Sequence, residues 1–165
     1  LGLFLYWDGQ YEVSQEILGR YVKLHPRDRQ VGRAHWHMGS AHMSLQNYGL
    51  AEAHYLAAVE SDQYDHDRKS LADIYSNAAR AILRQGRVGE AAAWYAQSFA
   101  AYKEVRDLEG AARVKNHMGK LLLDQERNLE ARAALTEALE LARTADSDEQ
   151  AERAKRHLRA LGGRE

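Results

Sequence analysis

One short turn recurs along the chain, at Gly9, Gln46, Gly86 and Glu126, with intervals of 37, 40 and 40 residues. Five residues after each turn stands a small side chain (Ser14, Ala51, Ala91, Ala131) and nine after it a large one (Leu18, Tyr55, Tyr95, Leu135). Three residues further on come Tyr21, Ala58, Ser98 and Ala138, which completes one stripe of a helix. Seven residues before each turn stand Gly2, Gly39, Ala79 and Gly119, each preceded by an apolar residue: Leu1, Met38, Ala78 or Met118. A glycine inside a helix costs roughly 1 kcal/mol relative to alanine, so three of them at one register predict a neighbouring helix pressed against that spot. The chain therefore reads as an array of helical hairpins, each burying its apolar face on the next. The clearest unit runs from Gly32 to Asp65.

Composition agrees with an all-α fold. There is one proline, Pro26, and only two phenylalanines. Helix formers dominate and strand formers are sparse. A net charge of -1 argues against a general attraction to nucleic acid or to an anionic membrane, and neither is expected as a direct partner. Without cysteine there are no disulfides, thiolate metal sites or thiol nucleophiles, which fits a reducing compartment, and a cytoplasmic location is expected. The apolar opening from Leu1 to Trp7 is too short to span a bilayer and has no signal-peptide pattern. The chain does not begin with Met, and the expectation is a piece of a larger regulator or adaptor.

The pattern resembles the tetratricopeptide repeat: large, then Leu-Gly, then aromatic on helix A, Gly-Tyr at the turn, and small, aromatic, small on helix B. The matching residues are Met38, Gly39, Tyr48, Ala51, Tyr55 and Ala58 in one repeat, and Gly86, Ala91 and Tyr95 in the next. In the last repeat they are Met118, Gly119, Ala131, Leu135 and Ala138. The resemblance implies a right-handed superhelical solenoid of antiparallel helix pairs. Its usual period is 34 residues, so the 40-residue intervals here mark a longer form, with about six residues added where helix B meets the next helix A. Such long repeats resemble those of kinesin light chains, cell-polarity adaptors and bacterial transcriptional regulators, and the Ala/Arg-rich composition favours the bacterial comparison. The expected organisation is one solenoid over 1–165: a partial repeat at 1–27, repeats at 32–65, 72–105 and 112–145, and a capping helix at 147–161. In that last helix Ala151, Ala154, Leu158 and Leu161 share one face, with Arg153, Lys155, Arg156 and Arg159 opposite, and Gly162 and Gly163 end it.

The resemblance also implies a concave face built from helix A. Carried over by register, its positions are Leu3, Tyr6 and Trp7, then Arg33, Trp36, Ser40, Met43 and Ser44. Asp73, Ser76, Arg80, Leu83 and Arg84 follow, then Arg113, Asn116, Lys120, Leu123 and Asp124. The family's variant that clamps the carboxylate tail of chaperones matches here only at Asn77, with Arg113 a near match, so that ligand is not expected. The partner-binding set is accordingly Trp36, Ser40, Met43, Asn77, Arg80, Arg84, Arg113, Asn116 and Lys120. It grades from aromatic to basic, which suits a peptide or protein segment carrying an apolar stretch and acidic groups.

Other chemistry is not expected. His35, His37 and His42 lack the carboxylate spacing of a helical zinc motif, and His42 stands where the family places an aromatic against its own helix B. Asp62, Asp65 and Asp67 lack the glycine and final glutamate of a calcium loop and read as a connector with helix-capping aspartates. No nucleophile motif or phosphate-cradling loop occurs, so no cofactor or metal is expected. The function expected is a non-enzymatic protein or peptide scaffold. The alternative is a homo-oligomerisation platform acting through the end helices, near Trp7 and Arg156.

Overall fold

The structure is a computed structural model that describes residues 2–61 and 67–162, the side chains of Leu3 and Phe4 aside. Among these residues it is entirely helical: α1 (Gly2–Trp7), α2 (Tyr11–Leu24), α3 (Val31–Ser44), α4 (Tyr48–Val59), α5 (Arg68–Arg84), α6 (Val88–Glu104), α7 (Leu108–Asp124), α8 (Asn128–Thr144) and α9 (Asp148–Gly162). None of these helices is long and apolar enough to cross a membrane. They fall into two compact units, Leu1–Ala91 and Ala92–Glu165, with the division inside α6.

The turn residues of the sequence pattern share one backbone state. Gly9, Gln46, Gly86 and Glu126 all adopt left-handed φ, at 78°, 60°, 81° and 60°. The residue after each donates its N–H back to the carbonyl five positions earlier, as in Asn47 N to His42 O at 2.9 Å and Arg127 N to Leu122 O at 3.0 Å. This is the Schellman closure of a helix C-terminus, and it reverses the chain within three residues. The same device recurs between helix B and the next helix A, at Arg106 (56°) and Asp146 (52°). A seventeen-residue helix and a three-residue turn, taken twice, give the forty-residue period from α5 to α8. Helices α3 and α4 are shorter, at 14 and 12 residues.

In the first unit the register glycines meet the large residues of the following helix. A Cβ on Gly2 would stand 2.8 Å from Leu18 Cγ, and one on Gly39 would stand 2.8 Å from the Tyr55 ring and 3.1 Å from Ala51 O. Leu18 packs with Ala34 and Met38, flanked by Tyr21 and Val22. The α4–α5 connection lies partly outside the described residues, which leaves Asp62 and Asp65 unplaced. Asp67 caps α5 as expected, accepting from Ser70 N at 3.0 Å.

The second unit repeats the arrangement: a Cβ on Gly119 would stand 2.5 Å from Leu135 Cδ2, and one on Gly110 would meet the Tyr102 ring. Leu123, Ala131, Leu135 and Leu161 form one cluster, with Leu122 and Leu158 against it. Ala112, Ala142 and Ala151 form another. Helix α9 thus buries Ala151, Ala154 and Leu161, with Leu161 packed on Leu123 of α7 and on Ala131 and Leu135 of α8. Gly163 lies outside the described residues.

Candidate functional site

In the first unit the expected binding residues gather on α3 and α5, beside α1. The helical spacing of Trp36, Ser40 and Met43 on α3 puts them on one face, half-buried. Ser40 Oγ donates to the Trp36 carbonyl at 3.1 Å and accepts from the Tyr55 hydroxyl at 3.3 Å, which ties α4 to this face. Around them is an aromatic rim: Tyr6 packs against Trp7 at 5.2 Å and against His37 at 5.6 Å, and His37 stacks on Trp36 at 5.7 Å. Trp7 is 75% exposed.

Arg80 is exposed, its Nη1 3.4 Å from Asn77 Oδ1. Its charge acts on both the Tyr6 and the Tyr55 hydroxyls. Burial pushes Tyr55 up to about 12, against the lowering influence of Ser40 and Arg80. Burial likewise raises Tyr6 above the ordinary phenol value, the hydrogen bond with Ser40 opposing it. His37 is pushed down to about 4, chiefly by burial and secondarily by Arg33, so it is a neutral ring at physiological pH.

The other cations of the expected set are already engaged. Arg84 donates to the Tyr48 hydroxyl from Nε at 3.2 Å and Nη2 at 2.9 Å, with its guanidinium 5.2 Å from that ring. In the second unit Arg113 donates to the Tyr102 hydroxyl at 2.5 Å and lies 5.5 Å from the ring centre. Lys120 pairs with Asp124 at 2.7 Å. Asn116 needs a correction, because it is fully buried and cannot meet a ligand. Its Nδ2 donates to the Gln150 carbonyl at 3.0 Å and lies 3.3 Å from Gln150 Oε1, so it is a strut to α9. Leu3 lies outside the described side chains.

The sequence pattern missed two features. The first is the Tyr55–Ser40 link, since Tyr55 reads only as a core residue. The second is a histidine cluster inside the first unit, where His35 Nδ1 and His54 Nδ1 are 3.0 Å apart. His42 stacks on His54 at 5.3 Å with the rings 7° from parallel, so it packs on its own helix B as expected. The signal was available: with Gly39 opposite Tyr55, a residue four before the glycine and one before the tyrosine are neighbours. Among the described residues no group of three or more His, Asp or Glu side chains is placed to hold a metal ion.

Comparison with known proteins bears on the fold. A tetratricopeptide-repeat profile matches residues 30–104 and a second one matches 112–144. No curated protein matches the chain by sequence. Among solved structures the chain is similar to BtubC (BKLC) from P. vanneervenii, with 14% identity and a TM-score of 0.73 over 99% of this chain and 79% of that one. It is similar to MamA of RS-1, an ArsTM double mutant, with 20% identity and a TM-score of 0.72 over 89% and 74% of the two chains. It also resembles a Podosopora anserina kinesin light chain with nearly identical TPR-like repeats, at 14% identity and a TM-score of 0.68 over 99% and 92%. Two repeat matches over most of the chain, a left-handed turn at each register position and glycines set under the next helix lead to one assignment: the chain belongs to the tetratricopeptide-repeat family.

Proposed function

We propose that this chain is a protein-interaction module that holds a peptide segment against the helix-A face of its first unit. The carrying observation is the contrast among its cations: Arg84, Arg113 and Lys120 are spent on a phenol or a carboxylate, whereas Arg80 stands exposed beside Asn77 and an aromatic rim. An exposed tryptophan and a half-buried one supply apolar anchors, and the guanidinium supplies a charge-assisted hydrogen bond to an acidic group. The test is an array of degenerate octapeptides probed with the whole chain and with the Trp36→Ala and Arg80→Glu variants. Peptides bound by the wild type and lost by both variants would support the reading. Binding that ignores both variants, or no binding at all, would overturn it. A second reading, self-association, draws on the exposure of Trp7 and Leu24, each at 75%. It predicts a sedimentation mass that rises with concentration and reverts in Trp7→Ser.

A further inference from the structure

The cluster of His35, His42 and His54 has no part in the binding reading and asks for its own account. His35 and His42 come from α3 and His54 from α4, so the cluster spans one helical hairpin. The two Nδ1 atoms at 3.0 Å can share only one hydrogen: one ring donates and the other accepts. One added proton can sit on an outer nitrogen and leave that bond intact. A second puts hydrogen on both facing atoms, turns the bond into a clash, and sets two like charges side by side beneath a third ring.

Among the described residues, what acts on the three rings disfavours those charges. Burial is the sole cause acting on His35 and His42, and for His54 it is joined only by the other two rings. Among the described residues, no charged side chain of α2 or α5, Asp73 and Arg80 included, is among the causes that shift the three rings. On α4 itself Glu52 is turned to Arg87 and Gln85, and on α3 Arg33 acts on His37. His42 Nδ1 is buried without a hydrogen-bond partner, so it has no acceptor ready for a proton. All three rings are pushed below the ordinary imidazole range, His54 to about 4.

We propose that this histidine cluster is an acid-opened latch between α3 and α4, closed at neutral pH and released when His35 and His54 are both protonated. Opening would also part Tyr55 from Ser40, because the same two helices carry that bond, and so would disassemble the face that presents Trp36. The second consequence, release of a bound peptide in acid, rests on the binding reading above; the latch itself does not.

The experiment is amide hydrogen exchange on the full chain at pH 7.5 and pH 5, with rates divided by their intrinsic values. Protection over residues 31–44 and 48–59 is expected to fall by about tenfold or more, the factor that one unit of pKa shift implies. Residues 108–124 and 128–144 are expected to change by less than about threefold, within the same scale. In the double variant His35→Gln/His54→Gln, whose amides hydrogen-bond without titrating, the loss should fall well below that of the wild type, to what the buried His37 and His42 contribute. His37→Gln should keep more of the loss than the double variant does. Should the double variant misfold, the wild type still decides, since protection must start to fall as pH drops through the free imidazole value of about 6.5 and level off where His35 and His54 titrate in the closed protein, as followed by NMR. Equal loss in both units, loss undiminished in the double variant, or a fall in protection that continues well below the titration of those rings would overturn the latch. Any array peptide released by the wild type at pH 5 but kept by the double variant would join latch and binding face, while failure of all peptides would fall on the binding reading alone.

Discussion

Two glycines at opposite ends of one scale show how much a single methyl group decides here. Gly39 has the Tyr55 ring and the Ala51 carbonyl where its Cβ would go, whereas Gly89 in α6 has nothing within 4 Å. Gly39→Ala should therefore destabilise the fold by about 1–3 kcal/mol through overpacking, less the gain of about 1 kcal/mol from propensity. Gly89→Ala should stabilise it by up to about 1 kcal/mol. Thermal melts of the two variants test this, and the reverse order would mean that α3 and α4 do not pack in this register. The glycines were legible in the sequence because they recur at a fixed distance from the turn, and recurrence exposes a steric demand that one glycine would not. Asn116 was not legible, because a polar residue at a groove position looks the same whether solvent or another helix lies over it. The amide of Gln150 is its partner, 34 residues away, and neither residue carries a local pattern that names the other.

At the level of the element, the half-period explains both the uniformity of the array and its points of strain. From Gly86 onward a left-handed residue recurs every 20 positions, at Arg106, Glu126 and Asp146. The forty-residue period could be read from small and large residues, but its division into two equal halves could not, since three of these four positions are not glycine. A side chain held at left-handed φ costs roughly 1–2 kcal/mol, part of which glycine would return as unfolded-state entropy. Glu126→Gly should accordingly raise stability by up to about 1 kcal/mol, and Gly86→Ala should lower it by about the same amount. Helix α9 gives a second forecast. Asn116→Ala removes a buried donor that α9 relies on and leaves a small void, so it should cost about 2–3 kcal/mol. Lys120→Ala, one turn along the same helix but exposed, should stay within about 0.5 kcal/mol. Chemical denaturation of the two variants distinguishes a strut from a surface residue.

Across the whole molecule, small residues under large ones carry the fold, and charge contributes little. The core is dominated by alanine, with Tyr55, Tyr95, Tyr102 and Leu135 as its largest fully buried members along with a few aliphatics. Most ion pairs join residues three or four apart on one helix and are open to solvent, such as Arg20–Glu16 at 74% and 63% exposure and Lys120–Asp124 at 57% and 59%. Pairs of that kind contribute about 0.3–0.5 kcal/mol each and are screened by salt. With a net charge of -1 there is also little overall repulsion for salt to relieve. Two of the described pairs differ in kind: Arg87 reaches back from the α5–α6 turn to Glu52 on α4 at 2.7 Å, with Glu52 only 13% exposed, and Lys115 of α7, 17% exposed, reaches Glu137 of α8 at 2.6 Å. Raising sodium chloride from low concentration to molar levels should therefore move the melting temperature by less than about 2 °C, roughly half to one kcal/mol for a chain of this size. A fall of several degrees would place real stability in electrostatics, and Glu52→Gln and Glu137→Gln would then show which inter-helix pair is its source. Insensitivity in both chains would leave the steric fit of glycine and alanine against the facing helix as the term that holds each unit together.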